Sequence, residues 1–311
     1  MGLALALALI LAGLTGPAAA EAEETGTITF WNTEISRTDT EVTFEGSEYV
    51  HLPELDRLLD DMPNLRKVSM WDKKLFLGEI RELFAHHPDV EFGMTIELNK
   101  SHILRTDMTA YSTLGRQPQI AQAHTWFFGC LKQLKALDIG HMNVHSVEFL
   151  RETAPLKILI LADNGLKDIS AISGQTELEY LEIFKNYLTD LTPLAGLTEL
   201  RDLNIGYNDI RDLSPLDGLQ KLERLWTMGN WWLPEEEIER FKALHPNCEV
   251  VTWSYGATGN RCDPAASEMK QIPGTSWRHH PHYDTIHWIF DHSEYVGWDA
   301  EVPQVKTAED P

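Results

Sequence analysis

Residues 178–222 read "LEYLEIFKNYLTDLTPLAGLTELRDLNIGYNDIRDLSPLDGLQKL", and this stretch decides the fold. Leu178, Leu200 and Leu222 stand 22 residues apart, and the same interval runs back through Leu156 to Leu134. Three and five positions after each of these come Leu137/Ile139, Leu159/Leu161, Leu181/Ile183, Leu203/Ile205 and Leu225/Thr227. Eight positions on stand Asn164, Asn186, Asn208 and Asn230, with Met142 breaking the rule in the first unit. Further apolar columns follow at Leu166/Leu188/Ile210, Ile169/Leu191/Leu213 and Ile172/Leu194/Leu216. Equal intervals with so many columns in register are the signature of a stacked repeat, not of chance.

Each column has a physical reading. Alternation around the paired apolar positions makes a short strand with one face buried. A lone unit would expose its apolar columns, so neighbours stack into one continuous core. The Asn sits where the chain turns inside the coil, and its amide satisfies backbone groups that no strand reaches. Asp168, Asp190 and Asp212 precede the next apolar residue, and Pro193 and Pro215 follow, which predicts a short helical turn on the convex side with Asp as N-cap. The pattern is L-x-x-L-x-L-x-x-N-x-L, the leucine-rich repeat. Residues 134–233 resemble the 22-residue repeats of secreted bacterial internalin-type leucine-rich-repeat proteins, most closely in "LTDLTPLAGLTEL" (188–200) and "IRDLSPLDGLQKL" (210–222). The expected fold is an α/β solenoid, a leucine-rich-repeat array with a parallel concave β-sheet. The resemblance says little of function, because this scaffold serves many partners.

On either side lie three segments built as apolar helix, Pro, strand: 55–62 then 65–70, 80–87 then 90–96, and 238–245 then 248–253. They read as longer, helix-bearing units capping the array at both ends, since a terminal repeat has one face in water. The expected organisation is a signal peptide over 1–20, an N-terminal cap over 21–133 and repeats over 134–233. A C-terminal cap with a His/Trp-rich extension follows over 234–298, then a disordered tail over 299–311. Residues 97–133, including "TDMTAYSTL", fit no register. In the extension, "TSWRHHPHYDTIHWIF" (275–290) resembles the Trp-Arg-x-His-Pro-x-Tyr tails of gut Firmicute leucine-rich-repeat proteins, departing from them at His282, where Arg often follows the Pro. Pro281 is expected to open a short helix running through Phe290.

The 311 residues are 43% hydrophobic and 24% charged, a globular balance. Against 26 Lys+Arg stand 48 Asp+Glu, a net charge of −22. That argues against the clustered basic surface that nucleic acid or anionic lipid requires. Leu3–Leu14 is an uncharged apolar run followed by Gly16-Pro17 and Ala18-Ala19-Ala20, which reads as a signal peptide cleaved after Ala20, though no Lys or Arg lies near Met1. The run is short for a membrane span, and no later segment is apolar enough for one. The expected location is secreted or in the cell envelope.

Catalytic chemistry finds little footing. His279, His280, His282, His287 and His292 lie among Asp284 and Asp291, and imidazole with carboxylate suits zinc, but no hydrolase metal motif is present. Cys248 and Cys262 are placed for either a disulfide across a Gly-rich loop or two thiols beside Cys130. No G-x-S-x-G elbow or phosphate loop occurs, so no enzyme activity, metal or cofactor is expected. The site argument comes from the repeat, whose strand residues between the buried leucines point to the concave face. Across the units these are Ala136, Ile158, Tyr180, Asp202 and Arg224; then Asp138, Ile160, Glu182, Asn204 and Trp226; then Gly140, Ala162, Phe184, Gly206 and Met228. His141, Asp163, Lys185, Tyr207 and Gly229 run beside them. Five strands give a surface roughly 20 Å across. The expected partner-binding residues are Tyr180, Glu182, Phe184, Asp202, Asn204, Tyr207, Arg224 and Trp226, with Trp231 and Trp232 flanking. Aromatic rings there bury much area at small entropy cost. Ile158 and Ile160 on the same face leave the alternative that a flanking segment, the His/Trp-rich tail foremost, covers it. The expected function is non-catalytic recognition of a protein, with a glycan as second choice. The alternatives are a metal-dependent or cysteine-based hydrolase using the tail, and a structural envelope component.

Overall fold

A computed structural model describes residues 26–252 and 282–303. The expected signal peptide, Cys262, His279, His280, Pro281 and residues 304–311 lie outside the described residues. The repeat spacing becomes a seven-stranded parallel sheet. The chain opens with the antiparallel hairpin β1 (Thr27–Phe30) and β2 (Thr33–Ser36). A first coil of helix-bearing units follows: β3 (Glu41–Thr43), α1 (Leu52–Asp61), β4 (Lys67–Ser69), α2 (Leu77–His86) and β5 (Glu91–Gly93). The three strands pair in parallel with Glu41, Lys67 and Glu91 in line. A second hairpin, β6 (Thr95–Asn99) and β7 (His102–Arg105), interrupts the coil.

The main sheet then runs β8 (Ala110–Ser112), β9 (Ala136–Asp138), β10 (Ile158–Ile160), β11 (Tyr180–Glu182), β12 (Asp202–Asn204) and β13 (Arg224–Trp226). After α3 (Glu235–Leu244) it ends with β14 (Glu249–Val251). Tyr111, Leu137, Leu159, Leu181, Leu203, Leu225 and Val250 share the middle register and face the core. β8 belongs to the segment that fitted no register. Met108 and Tyr111 hold the right columns, but Thr113 breaks the next one, and β8 to β9 spans 26 residues, not 22. Tyr111 stands where Leu is the rule. Its buried hydroxyl is 2.7 Å from His102 Nδ1, whose Nε2 lies 2.8 Å from the Pro118 carbonyl. Burial holds the His102 pKa below its usual value, so the ring is neutral and takes one hydrogen bond at each nitrogen.

Two cores meet at a 3₁₀ segment, Gln122–Cys130. Phe127 and Cys130 face the core of the first coil, while Phe128 and Leu131 face that of the main array. On the convex side the repeats close through 3₁₀ turns at Ser170–Gly174, Thr192–Leu194 and Ser214–Leu216, with proline at the start of the last two. The aspartates lie one residue before the cap position expected of them. Asp168, Asp190 and Asp212 each accept the N–H two residues on, at 2.8 Å, as an Asx turn.

The asparagines do what the turn demands. Asn186 Oδ1 accepts the N–H groups of Asn164 (3.1 Å) and Leu166 (2.9 Å) in the preceding unit. Its Nδ2 donates to the carbonyls of Leu161 (3.1 Å) and Ile183 (3.0 Å), so one amide ties two units together. Asn164 does the same to Met142, Val144, Ile139 and Leu161. Asn208 binds Leu188, Ile183 and Ile205, and Asn230 binds Ile210, Ile205 and Thr227. Replacing Asn186 with Ala strands two buried N–H groups and their carbonyl partners, at a cost of about 3 kcal/mol. Urea unfolding of Asn186→Ala is expected to show that loss, against a change under about 0.5 kcal/mol for Thr189→Ala at an exposed neighbour. Equal midpoints for the two variants would refute the role of the ladder.

Candidate functional site

The concave face is set by the strand register. Its first column is Ala110, Ala136, Ile158, Tyr180, Asp202, Arg224 and Glu249; its second is Ser112, Asp138, Ile160, Glu182, Asn204, Trp226 and Val251. The first column is therefore graded, small and apolar over β8–β10 and polar or charged over β11–β14, while the second mixes the two throughout. The turn that leaves each strand holds His141, Asp163, Lys185, Tyr207 and Gly229 with φ of 58, 52, 54, 54 and 74°. Left-handed backbone is thus built into every unit, although only one of the five residues is glycine. Gly229 has a second reason: a Cβ there would lie 2.7 Å from the Tyr207 ring. Asp163 accepts from Lys185 (2.9 Å) and lies 3.1 Å from His141 Nδ1, so an exposed charged row edges the face.

The exposed aromatic patch expected on this face is not exposed. Tyr180, Phe184, Asp202, Asn204, Arg224 and Trp226 are buried, with Tyr180 and Trp226 at 0% exposure; Glu182 and Tyr207 are half-buried. Over the apolar end the cause is the C-terminal helix α4 (Tyr283–His292). Ile286 and Ile289 sit on Ala110, Ala136 and Ile158, and Trp298 stacks on Tyr180 with ring centroids 5.3 Å apart. At the other end Trp226 packs with Met228, Val251 and Tyr207, and Phe184 meets Tyr207 edge-on at 5.1 Å. Trp231 and Trp232 stand outside, 80% and 63% exposed, with the Arg211 guanidinium 5.5 Å from the Trp232 ring.

The cover is tied down by polar contacts as well. Arg201 Nη1 donates to Asp299 (2.7 Å) while its Nε donates to Glu223 (2.7 Å). The Tyr295 N–H reaches Thr109 Oγ1 at 2.8 Å, and Thr285 Oγ1 donates to the Ala300 carbonyl at 3.2 Å. Residues 299–303, expected to start the disordered tail, thus begin with an ion pair. The described histidines of the extension are engaged with rings, not converged on a centre. His282 lies 4.1 Å from Trp298, His287 4.4 Å from Tyr283 and His292 4.2 Å from Trp288. Among the described residues no three His, Cys, Asp or Glu side chains form a group that would hold a metal.

Carboxylates are gathered beneath this cover. Asp138 accepts from Ser112 Oγ (2.7 Å) and the Gly140 N–H (3.0 Å), yet burial raises its pKa. Glu182 accepts from the Tyr180 hydroxyl at 2.8 Å. Burial, joined by the negative fields of Asp138 and Asp202, pushes Glu182 up to about 7. Arg224 donates from Nε (3.0 Å) and Nη2 (2.6 Å) to Glu249, bridging the last two strands. The free thiols of Cys130 and Cys248 are both pushed to about 12 by burial, so neither is a thiolate nucleophile at neutral pH. Sequence reasoning missed the anchoring roles of Thr109, Arg201 and Asp299. The spacing of Ile286 and Ile289 was the readable signal for a helix with one buried face.

The repeat interval, the parallel sheet and the asparagine ladder define a leucine-rich-repeat solenoid with helix-bearing units at both ends. No family model matches the chain and no curated protein matches it. Among solved structures it is similar to internalin C2 from Listeria monocytogenes, at 23% identity and TM-score 0.39, covering 62% of this chain and 73% of that one. It is also similar to a second internalin (inlF) from Listeria monocytogenes, at 21% identity and TM-score 0.41 over 69% of this chain, though it spans only 55% of that protein. A leucine-rich-repeat protein from Leptospira interrogans matches at 16% identity and TM-score 0.31, over 62% of this chain and 73% of that one. Among the described residues no helix is long and apolar enough to cross a membrane.

The raised Glu182 pKa has a definite sign. The folded state holds this proton more tightly than the unfolded chain, so the stability it contributes is full below about 4.5 and is lost as pH rises through about 7. Glu182→Gln keeps an acceptor for Tyr180 but cannot ionise. Its melting temperature, measured against the parent chain, is expected to gain progressively from pH 5 to pH 8. A difference that does not change with pH would show that Glu182 ionises in the fold as it does in water.

Proposed function

We propose that this chain is an exported, non-catalytic recognition protein that takes a protein partner on the concave face of its sheet, with α4 occupying part of that face until the partner arrives. The observation that carries this reading is the composition of the face. Asp138, Glu182, Asp202, Asn204 and Arg224 project where the solenoid's own core has no use for them. Charged groups are almost never fully buried unless paired, so a face that collects them is not there for core packing. The apolar floor of Ala110, Ala136 and Ile158 accepts a helix, as α4 demonstrates by seating Ile286 and Ile289 there. A partner helix with a similar apolar face competes for the same floor, while the acidic row selects basic flanks on it. The reading retains the eight concave residues named from sequence, as contacts made once the face is uncovered, and the export expected from residues 1–20.

The test compares capture of proteins from envelope and host-surface extracts by the full chain and by Ile289→Asp/Trp298→Ala, which removes two anchors of the cover. Release is expected to raise capture about tenfold, the equivalent of 1.4 kcal/mol. Adding Glu182→Gln and Tyr207→Ala to the released chain is expected to reverse the gain. Equal capture by all three chains, or none by the released one, would reject the concave face as the partner site.

A further inference from the structure

The first coil carries a cleft that the concave-face reading does not use. It has a volume of about 610 Å³ and lies between the loop entering α1, the β4–α2 connection and the start of β6. That size suits a small ligand or the end of a chain. At its rim Tyr49 and Phe76 stack with centroids 5.3 Å apart and planes 29° from parallel, and the two side chains remain 60% and 66% exposed. Scattered exposed apolar residues need no explanation, but a stacked pair of rings beside a cleft presents a flat platform to solvent.

The platform is held in place by its backbone. Tyr49 bridges Lys74 in parallel, the Val50 N–H donates to the Lys74 carbonyl (2.9 Å), and the Phe76 N–H donates to Glu79 at the start of α2 (2.8 Å). The floor is equally fixed. A Cβ on Gly93 would come within 2.7 Å of Trp71, so only glycine lets that ring lie there, and the Arg105 guanidinium sits 4.0 Å from its centroid. Lys73 is spent inside, donating to Glu48 at 2.6 Å with Trp31 beside it at 5.2 Å. Besides the rings the cleft is lined by a mixture of acidic, basic and hydroxyl residues: Asp72, Glu97, Lys74 and Ser47.

We propose that this cleft binds a neutral saccharide. A sugar presents an apolar C–H face beside hydroxyls that each donate and accept. The ring pair takes the first, and the adjacent acceptors and donors take the second. Charge argues against the other ligand classes. An anionic ligand meets Asp72, Glu97 and a chain of net charge −22. A basic peptide meets Lys74 at the same cleft. A neutral polyol meets neither penalty and uses both signs.

The test uses the full chain with four neutral probes, cellotetraose, maltotetraose, mannotetraose and tetra-N-acetylchitotetraose, read by saturation-transfer NMR and titration calorimetry. Tetralysine and a hyaluronan tetrasaccharide serve as charged comparisons. At least one neutral probe is expected to bind, with Tyr49→Ala and Phe76→Ala each weakening it about tenfold. Both residues are exposed, so melting temperatures should hold. No binding of any neutral probe would overturn the proposal, as would binding that survives both substitutions or a preference for either charged comparison.

Discussion

A coil that turns inside itself must bury N–H and C=O groups that no strand ladder can reach, and here a single side-chain amide per turn answers for them. Asn164, Asn186, Asn208 and Asn230 each accept from the unit before and donate both to that unit and to their own. Everything else in the main array depends on that closure. It brings the leucine columns into line, makes the strands parallel, and orders the residues between the leucines along one face. The amide is suited because it carries donors and acceptors on one rigid plane. Met142, which has neither, stands where the array meets a differently built segment, and there His102, Tyr111 and the Pro118 carbonyl form a buried hydrogen-bonded group instead.

From this frame the concave face follows as a place of free choice. The core fixes the middle register, while the two outward columns are unconstrained by stacking. In this chain they run from alanine and isoleucine to aspartate, arginine and tryptophan. The apolar end is filled by the chain's own helix, with Trp298 on Tyr180 and Asp299 on Arg201 as its outer fastenings. Buried carboxylates lie under that cover, and the raised Glu182 pKa records what it costs to keep one of them from water.

How legible this was depended on whether a column repeated. The leucine and asparagine intervals carried the solenoid, the parallel sheet and the faces of its strands without ambiguity. β8 was hidden because one extended interval and a threonine broke the register, although Met108 and Tyr111 kept two of its columns. The first coil was visible as helix-proline-strand units but not as a separate sheet, since the β6–β7 hairpin that divides it from the main array has no repeat to betray it. The concave columns could be named residue by residue, yet their exposure could not. Burial of Tyr180 depends on a segment distant in sequence, that of Trp226 on side chains of its own and adjacent units, and the contacts of α4 span an interval that no local pattern encodes. The left-handed turns were equally silent, because His141, Asp163, Lys185 and Tyr207 adopt them without being glycine.

A linear array of repeats unravels from an end, each unit answering only to its neighbours. The segment 285–300 departs from that rule. It holds Thr109 ahead of the first strand of the main sheet, lies on Ala136 and Ile158 in the next two, stacks on Tyr180, and pairs with Arg201 ahead of the fifth. Fraying of the first strands therefore takes with it contacts made several units away. The result is a spring with a bar laid across its coils: while the bar is seated, opening any of the early repeats costs contacts held by the others.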